Sequence, residues 1–225
     1  IPQRFLKSNK IYSSSDLILF VCYVLQHLLY YTSVINKFFS FSLILLLVIF
    51  TPHQYIYPHL IIKIKVADIE LELFKDKAPV SVAAFLSYVD SGYYKDGSFY
   101  RVLSNDNVPR QYNTGLIQGG IFTSNQALLD RIPGIAHEAT ATTHLSHTNG
   151  TISLARTTPG TASTEFFICV GDPTQFDSNQ SADSLGFAAF GKVVEGMDVV
   201  RQIQNNPSRG EYFTVPIRIE NIKRL

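Results

Sequence analysis

The chain has 225 residues, enough for one good-sized domain and an extension. Its formal net charge is +1, which removes the electrostatic reason to expect a nucleic-acid partner. The cysteines Cys22 and Cys169 lie far apart in unlike surroundings, which argues against a disulfide framework and a cysteine-rich zinc site. Cys169 follows Phe166-Phe167-Ile168 and reads as a small, buried, apolar thiol.

Composition changes near residue 60. Residues 1–60 are rich in Leu, Ile, Phe, Tyr and Ser and carry few charges. They hold two apolar runs. Leu17 to Ile35 is interrupted by Gln26 and His27, and Phe38 to Phe50 is preceded by Lys37. The second run is shorter than the roughly 20 residues of a membrane span. It fits a signal-peptide core with Lys37 as the basic flank, although Thr51-Pro52-His53-Gln54 offers no small-x-small cleavage site. The chain begins at Ile1, and its only methionine is Met197. Three readings of this segment stand: a secretory signal or anchor beginning within residues 33–38, translation upstream of a shorter product, and a two-helix membrane hairpin. Membrane contact is expected only through residues 17–50. The expected location is periplasmic or otherwise exported, anchored or free, and cytoplasmic if residues 1–60 are not part of the product. Function is expected in residues 61–225.

Leu60 to Phe74 alternates apolar and polar residues at Ile62, Ile64 and Val66, and again at Ile69, Leu71 and Leu73. With a turn at Ala67-Asp68 this is a hairpin of half-buried strands. Pro79 sits where a first helical turn tolerates it. Val82, Phe85, Leu86 and Val89 then recur at helical spacing, and Gly92 is placed to end the helix. Strands are expected at Phe99–Leu103 and Leu116–Gln118, with the polar loop Ser104 to Gly115 between them. Asn149-Gly150 is a tight-turn signal before the strand Thr151–Ala155. That turn also accounts for the Asn149-Gly150-Thr151 sequon without glycosylation. A loop from Thr157 to Thr164 precedes the strand Glu165–Val170. Phe187–Val194 is a further strand. A helix with the stripe Val199, Val200 and Ile203 follows, and Val215–Ile222 alternates again. Strands do not alternate regularly with helices, which disfavours a doubly wound parallel sheet. The economical fold is mainly β: a closed antiparallel barrel with two helices covering its openings, since closure removes exposed edges.

Three pieces carry the chemistry: Phe99-Tyr100-Arg101-Val102, Leu116-Ile117-Gln118-Gly119-Gly120 and Glu165-Phe166-Phe167-Ile168. They offer a fixed cation, an amide and aromatic rings, with no obvious nucleophile. That set suits gripping an apolar peptide and perturbing one amide bond rather than breaking bonds. Gly119-Gly120 reads as a close-packing or bulge feature, because no helix with Lys-Ser/Thr follows to make a phosphate loop. His137, His144 and His147 raise a metal reading, but Thr142, Thr143 and Asn149 make the stretch a loop. No metal and no cofactor are expected.

Ala78-Pro79-Val80-Ser81-Val82 with Phe85, Phe99-Tyr100-Arg101-Val102, Ile117-Gln118-Gly119-Gly120, Gly150-Thr151-Ile152-Ser153-Leu154-Ala155-Arg156, Glu165-Phe166-Phe167-Ile168 and Phe190-Gly191-Lys192-Val193-Val194-Glu195-Gly196-Met197 occur in order. From about residue 61 to 225 the chain resembles the cyclophilin family of peptidyl-prolyl cis-trans isomerases, most of all its bacterial members. The resemblance implies an eight-stranded antiparallel barrel capped by two helices. It implies a monomer acting on proline-containing peptides and on unfolded or folding proteins. By position, Arg101 is the catalytic arginine. Phe99, Leu116, Gln118, Ala155, Arg156, Glu165, Phe167, Phe176 and Phe187 are the substrate-contacting set, while Phe166 is expected to point into the barrel. Tyr100 stands where histidine is common, Glu165 where glutamine is common, and Gly115 where an aromatic is usual. Gln175 stands where eukaryotic relatives often carry tryptophan, and the chain has none, so cyclosporin binding is expected to be weak. The alternative to an isomerase is a proline-peptide binding module with little catalysis.

Overall fold

The computed structural model describes residues 57–104 and 114–225, together with Tyr23, Leu25, Gln26 and Tyr30. It divides into two compact units, Ile1–Gln54 and Tyr55–Leu225. The four described residues of the first unit have helical backbone. The rest of both apolar runs, and most of the loop Ser104 to Gly115, lie outside the described residues. No described helix is long and apolar enough to cross a membrane.

In the second unit, β1 (His59–Ile64) and β2 (Asp68–Leu73) form the expected hairpin, but its turn falls at residues 65–67, so Asp68 belongs to β2 and Val66, expected in the alternation, is exposed. Leu60, Ile62, Ile64, Ile69, Leu71 and Leu73 are all buried, so each strand gives one face to the core. Helix α1 (Pro79–Asp90) buries Val82, Phe85 and Val89. No side chain of its own caps it. Instead the Glu138 carboxylate accepts from Val80 N at 3.1 Å and Ser81 N at 2.7 Å, satisfying two orphan donors at a helix end that favours negative charge.

The strands β3 (Ser98–Leu103), β4 (Gly115–Gly120), β5 (Thr151–Leu154), β6 (Phe166–Val170), β7 (Ala188–Glu195), the two-residue β8 (Ser208–Arg209) and β9 (Tyr212–Arg224) complete the sheet. Its order is β1-β2-β7-β5-β6-β4-β3-β9, and β9 pairs back onto β1. Eight strands therefore form a closed ring, with β8 appended to β9, as expected. Every pairing is antiparallel. Closure falls to β9 alone. Its first part pairs with β3 and its last part with β1, where Leu60 faces Arg224.

Beyond α1 and helix α4 (Met197–Gln204), the described connections hold two one-turn α-helices, α2 (Gln126–Leu129) and α3 (Thr140–Thr143), and a 3-10 turn at Thr174–Phe176. Neither α2 nor α3 has the apolar stripe that would have marked it in the sequence. Helix α1 packs on β7 and β9, and α4 packs on β2, β4 and β6 through Val199, Val200 and Ile203. The core centres on Phe85, whose ring lies 5.2 Å from Tyr94, 5.6 Å from Phe166 and 5.1 Å from Phe190. Burying each such ring contributes about 1.5–3 kcal/mol.

Candidate active site

A groove of about 600 Å³ runs across β3, β4 and β6 on the outside of the barrel core. One half is apolar. Leu116 from β4 and Phe167 and Cys169 from β6 form a second buried cluster, against which Leu103, Ala155, Phe176 and Phe187 pack. Three rings meet edge to face: Phe167 with Phe176 at 5.6 Å, Phe167 with Phe187 at 5.4 Å, and Phe176 with Phe187 at 5.6 Å. This geometry adds about 0.5–1.5 kcal/mol per pair beyond burial, which makes the slot rigid. Burial pushes the Cys169 thiol far up, so it is an inert part of the floor.

Beneath the slot lies an arrangement with no signal in the sequence. The fully buried His147 ring stacks on Phe167 at 5.8 Å and meets Phe176 edge-on at 5.9 Å. Its Nδ1 lies 2.6 Å from Asp177 and its Nε2 lies 3.0 Å from the Ser153 hydroxyl. A carboxylate only accepts, so Nδ1 carries the proton and Nε2 accepts from Ser153. Burial holds the imidazole below its ordinary pKa against the opposing pull of Asp177. Desolvation pulls Asp177 up, but hydrogen bonds from Ser146 and His147 leave it below the usual carboxylate range. The connectivity is that of a hydrolytic Ser-His-Asp set, yet Ser153 is fully buried in β5. The group props the aromatic slot and offers no nucleophile. His137 and His144 do not join it, and among the described residues no three His, Cys, Asp or Glu side chains gather as metal ligands.

The other half of the groove is polar, and a β-bulge creates it. Phe99 faces Gly119 across the β3–β4 pair, but Arg101 faces Gln118, so Tyr100 is the extra residue. Simple alternation would put Phe99 and Arg101 on one face. With the bulge, Phe99 turns into the core against Phe166 at 5.9 Å, while Tyr100 and Arg101 both line the groove. Such bulges re-aim side chains next to functional sites. Phe99, expected among the substrate-contacting set, therefore lies in the core and does not line the groove. Its ring lies over Gly119, where a Cβ would come within 2.8 Å of it. Gly119 is thus the close-packing feature that the sequence indicated.

Arg101 is held from two sides. Its Nε and Nη2 donate to Glu211 Oε2 at 2.9 and 2.5 Å, and its Nη1 donates to Gln118 Oε1 at 2.8 Å. Gln118 Nε2 donates to the Tyr100 hydroxyl at 2.7 Å, and that hydroxyl donates to Glu165 Oε2 at 2.7 Å. Glu165 Oε1 accepts from Ile121 N, Phe122 N and the Thr164 hydroxyl at 2.8, 3.1 and 3.2 Å. Burial raises the Glu165 carboxyl despite these donors. Burial, then the adjacent Glu165 charge, pushes the Tyr100 phenol far above its ordinary value.

Leu116, Gln118, Ala155, Arg156, Glu165, Phe167, Phe176 and Phe187 line this groove with Arg101. Phe166 points into the barrel, as expected. Two of the lining residues do work inside the protein. Glu165 is engaged by its four donors. Arg156 donates to Asp183 and to the Gly186 carbonyl, and its guanidinium lies over the Phe187 ring at 5.0 Å, bracing the slot. Sequence reading missed Glu211, Phe122 and Tyr212, which lie on the rim. Nothing local marks them, since Glu211 is 110 residues from Arg101.

Comparison with known proteins agrees with this geometry. The profile of the family described as "Cyclophilin type peptidyl-prolyl cis-trans isomerase/CLD" matches residues 59–224. A peptidyl-prolyl cis-trans isomerase of Acinetobacter baylyi is 38% identical over 157 residues, 68% of this chain and 77% of that protein. Peptidyl-prolyl cis-trans isomerase B of Escherichia coli is 36% identical over 146 residues, 61% of this chain and 78% of its own length. The crystal structure of a cyclophilin type isomerase from Cryptosporidium parvum shares the fold, with a TM-score of 0.59 at 22% identity over 75% of this chain and 98% of that one.

Proposed function

Because the chain belongs to the cyclophilin-type peptidyl-prolyl cis-trans isomerases, we propose that Arg101 drives X–Pro rotation by stabilising the twisted amide. Amide resonance sets a rotational barrier of about 18–20 kcal/mol, and unaided X–Pro exchange takes about 10–100 s. The enzyme must therefore favour the twisted state over both planar isomers. Twisting makes the prolyl nitrogen pyramidal and returns its lone pair, which then accepts a hydrogen bond.

A guanidinium has five N–H groups. Glu211 and Gln118 take three of those on Arg101, and two remain for substrate. The Leu116–Phe167–Phe176–Phe187 slot beside it takes the prolyl ring. The second Nε2 proton of Gln118 holds the carbonyl on the residue before proline. Positioning and fixed charge then do the chemistry, with no covalent intermediate. The single observation that supports this most is Arg101, clamped from two sides, next to a rigid aromatic slot in one groove. X–Pro segments of folding chains are the proposed substrates.

A protease-coupled or NMR exchange assay of a proline peptide tests the reading on the full chain and on Arg101→Ala. A fast parent and a drop of about 100-fold or more, as when a transition-state donor is removed, support it. Peptide binding without rate enhancement by the parent would instead make the groove a binding module.

A further inference from the structure

The polar half of the groove is a chain of hydrogen bonds whose ends have fixed polarity. Arg101 can only donate, and an ionised Glu165 can only accept. Between them stand two groups that transmit direction. The Gln118 amide has a donor side and an acceptor side, and the Tyr100 hydroxyl has one proton. The observed run is Arg101 Nη1 to Gln118 Oε1, Gln118 Nε2 to Tyr100, Tyr100 to Glu165. Every link is satisfied in that direction only. The far end is anchored by Ile121 N and Phe122 N. It is also tightly enclosed: a Cβ on Gly120 would come within 2.3–2.6 Å of the Glu165 carboxylate atoms.

We propose that Glu165 and Tyr100 act together as positioning residues for bond rotation: by accepting the Tyr100 proton, Glu165 keeps that hydroxyl from claiming the Gln118 oxygen, which stays on Arg101. This rests on the isomerase reading of the groove. Neither residue needs to touch substrate.

An isosteric change exposes the dependence. In Glu165→Gln the new carboxamide must give its oxygen to the three donors on Ile121, Phe122 and Thr164. Its amide then donates to Tyr100. The Tyr100 proton loses its acceptor and recovers one only if Gln118 turns its oxygen toward it. Gln118 would then present its NH₂ to Arg101, donor against donor, and Arg101 would lose one of its two anchors. Replacing Tyr100 as well removes the demand on Gln118, whose oxygen returns to Arg101.

The test is side-chain NMR of Gln118 Nε2 and Arg101 Nε in the full chain, with kcat/KM for a proline peptide measured in parallel. Glu165→Gln is expected to move both resonances and lower kcat/KM about tenfold, the scale of one charge-assisted hydrogen bond. Adding Tyr100→Phe to Glu165→Gln is expected to recover most of that loss, whereas two merely structural losses would add. Parent-like resonances and kcat/KM in Glu165→Gln, or a double variant worse than either single one, would overturn the proposal. If the parent chain does not catalyse at all, the isomerase reading falls, and the Gln118 resonance still decides the polarity of the chain. If Glu165→Gln does not fold, Tyr100→Phe alone must remove the Gln118 hydrogen-bond shift. An unchanged shift overturns the proposal.

Discussion

Glu211→Gln separates a restraint from an inhibitor. Glu211 binds the Nε and Nη2 edge of Arg101, the residue proposed above to stabilise the twisted amide. Side-chain exposure is 30% for Arg101 and 53% for Glu211, so solvent screens the pair, and it contributes about 0.2–1 kcal/mol. Global stability should therefore change by less than about 1 kcal/mol. If the whole restraint acts in the twisted state, 1 kcal/mol corresponds to roughly fivefold in rate. The expected result is a two- to fivefold fall in kcat/KM with an unchanged unfolding midpoint, within the range that screened pair energies allow. Salt provides a control, because an exposed pair weakens as ionic strength rises. The parent's kcat/KM should drift toward the variant's value from low to high salt, while the variant stays flat. A Glu211→Gln protein faster than its parent would refute the reasoning, since Glu211 would then be holding Arg101 away from the peptide.

Three further outcomes are expected. Protonating Glu165 supplies an O–H where a carboxylate accepted, reversing the chain toward Arg101 just as Glu165→Gln does. The groups facing it are the phenols of Tyr100 and Tyr94, the Thr164 hydroxyl and two backbone N–H groups, with Arg101 the nearest cation along the chain. Burial raises this carboxyl, so the acid limb of kcat/KM should lie above the ordinary carboxylate range and vanish in Glu165→Gln. Stability moves the other way: the folded state binds this proton more tightly, so the contribution of Glu165 improves as pH falls from its raised folded value to its unfolded one. Phe167→Ala, which empties a buried position against His147, Phe176 and Phe187, should destabilise by about 3–5 kcal/mol in denaturant melts. It should also let the His147 pKa rise toward its ordinary value in an NMR titration, and an unmoved His147 would mean that Phe167 does not shield it. Gly115→Ala places a Cβ 2.1 Å from the Leu103 carbonyl at a φ of +143°. It should lose more than about 1 kcal/mol by forcing β3 from β4, and a parent-like melt would count against that pairing.

Alternation made the barrel legible. Ile62, Ile64, Ile69, Leu71 and Leu73 each occupy the buried half of a two-residue period, and Val82, Phe85 and Val89 follow the helical one. The apolar slot was legible for the same reason, because Phe166 and Phe167 face opposite sides of β6. The bulge at Tyr100 was not. Phe99-Tyr100-Arg101-Val102-Leu103 reads as an unbroken strand, and its only outward sign is on the partner, where Gly119 leaves room for the Phe99 ring. Contacts with no local pattern escaped as well. Glu138 caps α1 from 57 residues away, and Asp177 reaches His147 across 30. Such pairs come from tertiary closure, and a single sequence carries no period for them.

The pairing of β9 with both β3 and β1 has a consequence for synthesis. The ribosome delivers β1 through β7 before the strand that seals them, so during translation β1 and β3 each present an unpaired edge. Pairings this distant in sequence form slowly, and open edges invite association with other chains. Glu211, at the entrance to β9, reaches Arg101 only at this last step, so the groove is completed together with the barrel. Nascent chains stalled before residue 212 should be cut readily by protease and show no isomerase activity. Release of the remaining residues should confer protection and catalysis together, and activity in the stalled chain would show that the groove forms before closure.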